Sequence, residues 1–397
     1  MNNWKQNKKI LLCVTGGIAA YKIPSLVRLI KKSNCEVEII LTKSAQNFVT
    51  PMTLATLAGH KVFTDDDFDF TIPHIKLAQS ADLIVIAPCT ANTIGKISHG
   101  ISDNLLTSAI TAAACPVILF PAMNENMYEN KITQENLKFL SERGIKIISP
   151  SEGALACGKS GKGRMPETDE IMHEIFKALC PFKDMNGKKV LVTAGPTHEY
   201  LDPVRYISNP STGKMGAAMA RSAWYRGAEI KIIAGPVKFD DYDFEVIKIK
   251  SAEEMLNEVK KNLEWADYIV KAAAVGDYKP KEFHSKKIKR EGKNIFNIEL
   301  VQNPDIAAET GKLKRENQIL IGFAAETDNI ENNAREKLAR KNLDYILAND
   351  VLAENSGFAS DSNTLRLIPK DKNKPEKIFS GLKEDIAFDV WSNVIFN

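Results

Sequence analysis

The sequence predicts an α/β fold, built as two doubly wound, Rossmann-like domains in tandem. Three observations predict it. Short apolar runs alternate with amphipathic stretches along the chain, the pattern of a parallel sheet with both faces covered by helices. The sequence also begins twice. At the N-terminus Lys8-Lys9 lead into Ile10–Thr15 and then Gly16-Gly17-Ile18-Ala19-Ala20. Within Met185–Gly216 a polar approach leads into Val190–Thr193 and the small-residue turn Ala194-Gly195-Pro196-Thr197. A strand ending in a glycine turn before a helix is the usual phosphate-cradling start of such a unit. Finally, 397 residues are long for one domain of ~100–200 residues.

Residues 9–15 read as a buried strand, a short apolar run bounded by glycine. Ile18, Tyr21, Leu26, Leu29 and Ile30 lie at helical spacing within 18–33. Glu36–Thr42 reads as a strand, Ala45–Leu57 and His74–Ser80 as helices, and Ala81–Ala87 as a third strand closing on the loop Pro88–Asn92. A helix of small residues follows at Asn104–Ala114, then the strand Pro116–Phe120 and the loop Pro121–Met127. Residues 131–143 form a helix and Ile145–Ile148 a strand. Gly153–Pro166 breaks this rhythm and is too rich in glycine for a packed element. It reads as a linker or as a mobile flap over a site. A helix at 168–180 closes the first domain (1–180), and 181–187 reads as the link.

The second domain (188–397) repeats the alternation, with strand 188–193, helix 213–226, strand 229–233 and helix 252–263. Strand 267–271 runs out through Ala272–Tyr278, and a basic stretch follows at Lys286–Arg290. An extended run at 295–301, strand 318–323, helix 330–341 and strand 344–348 come next. The tail reads as a hairpin near 364–378 and a final helix.

Composition excludes several classes. A net charge of +3 is too small to argue for nucleic acid or a membrane surface as a partner. No apolar run approaches the ~18 residues of a membrane span, and Met1–Gly17 enters a strand without the features of a cleavable signal. The cysteines at 13, 35, 89, 115, 157 and 180 show no metal-ligand spacing and suit a reducing compartment. The expected setting is cytoplasmic.

Neither glycine turn is the G-x-G-x-x-G dinucleotide fingerprint, so a nicotinamide dehydrogenase is not supported. Ligands of open α/β sheets sit beyond the carboxyl ends of the strands. In the first half that rule collects Gly16, Gly17, Ile18, Thr42, Pro88–Asn92 and Pro121–Met127 at one rim. Backbone N–H groups with the side chains of Thr42, Thr90 and Asn92 suit a phosphate and the polar edge of a ring.

The combination Thr15–Ala20, Ile72-Pro73-His74-Ile75, Ala87–Thr93, Pro121–Met127 and Ala156-Cys157-Gly158 resembles the flavin-dependent cysteine decarboxylases, in particular those acting on 4′-phosphopantothenoylcysteine. The second half resembles the phosphopantothenate–cysteine ligases through Ala194–Thr197, Ile207–Gly216, Ala272–Asp277, Lys287-Ile288-Lys289, Asn303-Pro304-Asp305 and Gly322–Thr327. Together they cover nearly the whole chain in the order of the bifunctional bacterial flavoproteins of coenzyme A biosynthesis.

For the first domain the resemblance implies a flavodoxin-like flavoprotein holding FMN through Gly16, Gly17, Ile18, Thr42, Thr90, Asn92 and Met123. Direct loss of CO₂ from an acylated cysteine would leave an unstabilised carbanion. Oxidation of the thiol-bearing carbon gives a thioaldehyde β to the carboxylate, into which the electrons of decarboxylation can flow. FMN supplies that redox step, while the protein orients the substrate and moves protons. His74 is then the catalytic base, although a lone histidine is more often structural. Asn124 binds the substrate carboxylate, with a turn residue as its plainer role. Cys157, carried on the flap, protonates the enethiolate.

For the second domain the resemblance implies activation of a carboxylate by CTP. Attack on the α-phosphorus gives an acyl-cytidylate and pyrophosphate, and the cysteine amine then displaces CMP. Charge gathers at phosphorus, so a cation and Mg²⁺ should converge there. Lys287 matches the essential lysine, otherwise a solvated basic loop; the Arg290 that follows stands where lysine is expected. Asn209 contacts the acyl-cytidylate, and Asp277 meets the ribose, the base or Mg²⁺ as the candidate metal ligand. Lys337 and Lys341, four apart on a helix, reach the triphosphate. Ala272, Ala273, Pro304, Asp305, Ile306, Ala307 and Phe323 complete the nucleotide site.

The resemblance further implies a homo-oligomer with trimers of the flavin domain and dimers of the ligase domain, plausibly a dodecamer. Its small-molecule substrates are 4′-phosphopantothenate, cysteine, CTP and 4′-phosphopantothenoylcysteine. Two competing readings are a flavin-binding regulatory protein of the halotolerance type and a peptide-cysteine decarboxylase. The first is opposed by the joint presence of His74, Asn124, Cys157, Asn209 and Lys287, and the second leaves residues 187–397 unexplained.

Overall fold

The computed structural model describes residues 4–68, 71–154, 160–238, 244–289, 296–326, 329–350 and 360–396. It falls into two units, Asn2–Pro181 and Phe182–Asn397.

In the first unit the apolar runs form β1 (Lys9–Val14), β2 (Glu36–Leu41), β3 (Leu83–Cys89), β4 (Val117–Pro121) and the short β5 (Lys146–Ile147). β3 and β4 are buried along their whole length, as expected of central parallel strands covered on both faces. The strands pair in parallel in the order β2-β1-β3-β4-β5, the flavodoxin-like order, whose topological switch lies between β1 and β3. Around the sheet lie α1 (Ile23–Lys32), α2 (Pro51–Ala58), α3 (Pro73–Ser80), α4 (Ala91–Ser98), α5 (Leu105–Thr111), α6 (Glu125–Glu129), α7 (Lys131–Glu142) and, after the hairpin described below, α8 (Thr168–Leu179).

Several expectations need correction. The helix expected over 45–57 is a short 3₁₀ turn, Ala45–Asn47, followed by α2. Pro51 forces Thr50 into extended backbone (φ −84°, ψ 149°), because the residue before a proline avoids the helical region. Pro88–Asn92 is only partly loop, since Thr90 caps α4 and Asn92 lies in its first turn. Likewise Asn124 caps α6 inside the expected loop Pro121–Met127. The described residues of the glycine-rich Gly153–Pro166 do pack: β6 (Ser151–Ala154) and β7 (Ser160–Arg164) pair antiparallel.

The second unit is organised around β8 (Lys189–Ala194). A small pair, β9 (His198–Tyr200) and β10 (Tyr206–Ser208), follows, then α9 (Lys214–Tyr225), β11 (Glu229–Ala234), β12 (Glu245–Lys248), α10 (Ala252–Asn262) and β13 (Tyr268–Lys271). β14 (Tyr278–Pro280) pairs with β15 (Leu300–Gln302), so among the described residues of the extended run at 295–301 only the end is a strand. α11 (Ile306–Leu313), β16 (Ile319–Glu326), α12 (Ile330–Arg340), β17 (Tyr345–Asp350), β18 (Ser362–Pro369), β19 (Lys377–Leu382) and α13 (Lys383–Ile395) complete it. The sheet order is β12-β11-β8-β13-β16-β17-β18-β19. Its six parallel strands follow the dinucleotide-binding order, with the switch between β8 and β13. β18 and β19 run antiparallel, so the sheet is mixed rather than purely parallel.

On one face of this sheet Leu191, Ile269 and Leu320 share a core with Met255, Val259, Ile306 and Leu338 of α10, α11 and α12. On the other, α9 packs on α13, where fully buried Trp391 donates its indole N–H to the Met219 carbonyl at 2.9 Å. Arg226 is also fully buried. Its guanidinium pairs with Asp184 at 2.7 Å, donates to the Phe388 carbonyl and the Ser392 hydroxyl, and stacks over Phe388. Met185 has no exposed surface, so Asp184 and Met185, within the predicted link, pack with the second unit.

Candidate active sites

At the switch point of the first sheet Thr15 joins two strand ends. Its hydroxyl donates to the Pro88 carbonyl at 2.7 Å and accepts the Thr90 N–H at 3.1 Å. Gly16 follows, and a Cβ there would lie 2.5 Å from the Ser44 hydroxyl oxygen and 2.8 Å from the Ser44 carbonyl carbon. Glycine is therefore required by close approach. Gly17 is extended, and Ile18 opens a 3₁₀ turn with 57% of its surface exposed. Thr42 follows β2; its hydroxyl reaches the Val14 carbonyl at 3.3 Å and Ser44 Oγ at 3.4 Å. Thr90 Oγ1 accepts the Thr93 N–H at 3.5 Å as the helix cap, and Asn92 is exposed beside it. These residues gather where the rim rule expects them. Ser44, which the sequence reading missed, belongs with them.

His74 is the second residue of α3, after Pro73. Its Nδ1 is buried and has no hydrogen-bond partner among the described residues, and the ring lies 5.1 Å from that of Phe68. A buried imidazole nitrogen with no protein partner is suited to a ligand proton. Asn124 Oδ1 accepts the Asn126 N–H at 3.0 Å, so its capping role is present. Met123 and its neighbours carry the glycine-rich hairpin. The Met123 N–H donates to the Gly163 carbonyl at 3.0 Å, and Glu125 Oε1 accepts the Lys162 N–H at 3.1 Å. Cys157, with Ala156 and Gly158, lies outside the described residues.

In the second unit the switch point is tied in the same manner. Thr193 O accepts the Ala272 N–H at 3.1 Å, Thr193 Oγ1 the Ala273 N–H at 3.4 Å, and Thr197 Oγ1 the Gly276 N–H at 3.0 Å. Asn209 donates from Nδ2 to the carbonyls of Ala274 and Val275 at 3.3 and 3.0 Å. Beyond these strand ends opens a cavity of about 380 Å³. Ala272, Ala273 and Asp277 line it from the exit of β13, Asn209 from the loop before α9, and Phe323 from β16. Pro304, Asp305, Ile306 and Ala307 line it from the start of α11, with Lys337 from α12 and Lys341 from just after it. α12 ends at Arg340, which leaves Lys341 as its C-cap.

Asp305 accepts the Ala308 N–H at 3.0 Å as the cap of α11 and pairs with Lys341 at 3.0 Å. Burial works to raise its pKa, but that N–H and the nearby cations hold the carboxyl below the usual range. Three buried polar atoms of the lining have no partner among the described residues: Lys271 Nζ, Asn303 Oδ1 and Asn349 Oδ1. The signal for Lys271 was a charged residue closing the apolar run Tyr268–Val270, a rare place for lysine.

Lys287 is exposed and does not line this cavity. Its loop is anchored one residue later: the Ile288 N–H donates to Asp202 Oδ2 at 3.1 Å, and Arg205 donates to the Ile288 carbonyl at 3.1 Å. Asp202 has no exposed surface. Burial raises its pKa, yet the N–H groups of Ile288, Val204 and Arg205 outweigh it and hold the carboxyl below the usual range. Among the described residues no group of three or more His, Cys, Asp or Glu could hold a metal ion, and no helix is long and apolar enough to cross a membrane. Arg290 lies outside the described residues.

Two family models divide the chain. One described as "Flavoprotein" matches residues 2–180, and one described as "DNA/pantothenate metabolism flavoprotein C-terminal domain" matches 185–396. The chain is 43% identical over 399 residues to the coenzyme A biosynthesis bifunctional protein CoaBC of Bacillus subtilis (strain 168), with 98% of this chain and 97% of that protein covered. It is 42% identical over 392 residues to the protein of that name from Haemophilus influenzae, with 98% and 97% covered. Against that from Escherichia coli (strain K12) it is 40% identical over 373 residues, with 92% of each covered.

Proposed function

The chain belongs to the family of coenzyme A biosynthesis bifunctional proteins, and from that premise we propose that it runs two consecutive reactions. The second unit joins 4′-phosphopantothenate to cysteine in a CTP-dependent ligation through an acyl-cytidylate. The first unit decarboxylates the resulting 4′-phosphopantothenoylcysteine to 4′-phosphopantetheine with FMN. One observation carries this reading: every residue expected at the nucleotide, Lys287 apart, lines a single cavity at the switch point of the second sheet.

In the ligase site Asn209 and Phe323 frame the nucleotide while Lys337 and Lys341 meet its phosphates. Asp277 provides one carboxylate for Mg²⁺. This ion commonly binds through one or two carboxylates plus substrate phosphates, so the absence of an all-protein metal cage among the described residues suits it. Lys287 stabilises charge at the α-phosphorus once its loop meets the bound substrates.

The rim of the first sheet fits FMN. Gly16 brings the backbone against Ser44, and Gly17, Ile18, Thr42, Thr90, Asn92 and Met123 offer N–H, hydroxyl, amide and apolar contacts to phosphate and ring. When bound, FMN supplies the oxidation and reduction that open a route for CO₂ loss. His74 handles the proton at its buried nitrogen, Asn124 orients the carboxylate and Cys157 returns a proton to the product.

The functional assembly is a homo-oligomer, with trimers of the first unit and dimers of the second in a dodecamer, working in the cytoplasm. Exposed apolar side chains support covered surfaces on both units, among them Tyr21 and Met52 on the first and Tyr206, Phe283 and Phe296 on the second. The test of the reading is to supply 4′-phosphopantothenate, cysteine, CTP and Mg²⁺ and follow three products. CMP, pyrophosphate and CO₂ should appear together; CO₂ release that does not depend on CTP would contradict the ligase assignment.

A further inference from the structure

We propose that Lys271 is a phosphate-binding residue of the second unit's cavity, its Nζ meeting an anionic oxygen of the bound ligand. The proposal rests on the reading above, in which the cavity takes a nucleoside triphosphate and a phosphorylated acid, and it adds a residue that the resemblance did not assign.

Lys271 is the last residue of β13, in register between Thr193 of β8 and Gly322 of β16. Only 7% of its surface is exposed. Side chains alternate along a strand, so Lys271 shares the face of Ile269, which packs with α10, α11 and α12. Gly322 beside it carries no side chain, and Thr193 is wholly buried, so neither register partner offers it a countercharge.

The charged groups that the described residues place around the cavity come from several elements. From α11 comes Asp305, which is bonded to Lys341 and to the Ala308 N–H. From α12 and just after it come Lys337 and Lys341, with Arg340 acting on Asp305. The exit loop of β13 adds Asp277, which is exposed, while α9 and α13 add Lys214 and Lys383, the first paired with Asp361. Among the described residues that line the cavity, lysines are more numerous than carboxylates, which favours an anion. A buried ammonium without a hydrogen bond is unfavourable, and burial lowers the Lys271 pKa to about 7. A phosphate oxygen supplies the missing acceptor, restores the charged form and draws in a proton.

Both CTP and 4′-phosphopantothenate carry phosphate, so each is titrated alone, with Mg²⁺, by calorimetry at about pH 7.5 in two buffers of different ionisation enthalpy. The wild-type chain is expected to take up a fraction of a proton with the ligand whose phosphate meets Lys271. Lys271→Met should lose that uptake and bind the same ligand roughly 10- to 100-fold more weakly, with a melting temperature at least as high as wild type. CTP should still bind the wild-type chain if only the role of Lys271 is wrong; absence of proton uptake with either ligand, or equal uptake in Lys271→Met, overturns that role alone. Failure of CTP both to bind and to yield pyrophosphate overturns the ligase reading and the proposal together.

Discussion

The Met123 N–H donates to the Gly163 carbonyl at 3.0 Å, and a Cβ on Gly163 would lie 2.1 Å from the Met123 carbonyl oxygen. Gly163 also holds φ at +149°, and a Cβ on Gly161 would sit 2.4 Å from the Glu125 carboxylate. Gly161 and Gly163 thus let the hairpin approach Glu125 and the Met123 backbone closely. Gly163→Ala should lift the hairpin from that loop. The decarboxylase rate, read as CO₂ from 4′-phosphopantothenoylcysteine, should fall at least ~10-fold, because one misplaced element can cost that much. CTP-dependent CMP release should be unchanged.

Asp202 holds the Lys287 loop through the Ile288 N–H. Asp202→Ala should free the loop and lower ligase kcat/KM by roughly 10-fold, with the decarboxylase intact. The wild-type loop should also weaken in acid. With the folded pKa below its unfolded value, the Asp202 contribution is present above about pH 4 and is lost as pH falls through the folded pKa. Hydrogen exchange at the Ile288 amide checks both statements.

Lys271 behaves with the opposite sign. Its pKa falls from the ordinary 10.5 to about 7 on folding, so between these values the unfolded chain binds the extra proton and stability rises with pH. Without ligand, Lys271→Met should melt higher than wild type at about pH 7, by roughly 4 °C or more, and the gap should close towards about pH 10. A gap that does not change with pH would mean the ammonium is not desolvated.

Arg226, which is fully buried, pairs with Asp184, whose side chain is largely buried. Removing one partner of a buried pair strands the other, at a cost of about 3–5 kcal/mol. Arg226→Met should therefore lower the melting transition of the second unit by roughly 10 °C, and the double variant with Asp184→Asn should recover part of it.

Much of the fold was legible because buried parallel strands are written as short apolar runs, such as Ile10–Val14 and Leu83–Ala87. Helix starts were less so, because Thr90, Asn124 and Asp305 resemble loop residues until their side chains are seen to cap α4, α6 and α11. The hairpin β6–β7 was hidden by composition, since Gly161 and Gly163 answer to Glu125 and Met123 rather than to local propensity. The antiparallel strands β18 and β19 give no sign of which edge they join. In the sites, Gly16 and Asn209 stand out as motif residues, whereas Lys271 is noticeable only once β13 is known to be central. The anchoring of Lys287 depends on a contact between Asp202 and Ile288, residues separated by 86 positions, which no local pattern records.

The central claim is that two chemistries occupy two separate sites on one chain. It is tested most directly by comparing His74→Asn and Asn209→Asp in one assay with 4′-phosphopantothenate, cysteine, CTP and Mg²⁺, repeated with 4′-phosphopantothenoylcysteine supplied. His74→Asn should release pyrophosphate at the wild-type rate and almost no CO₂, and 4′-phosphopantothenoylcysteine should accumulate. Asn209→Asp should release neither from the first mixture, yet full CO₂ from the supplied intermediate. Loss of both activities in either well-folded variant, or CO₂ from the first mixture with Asn209→Asp, would contradict the account.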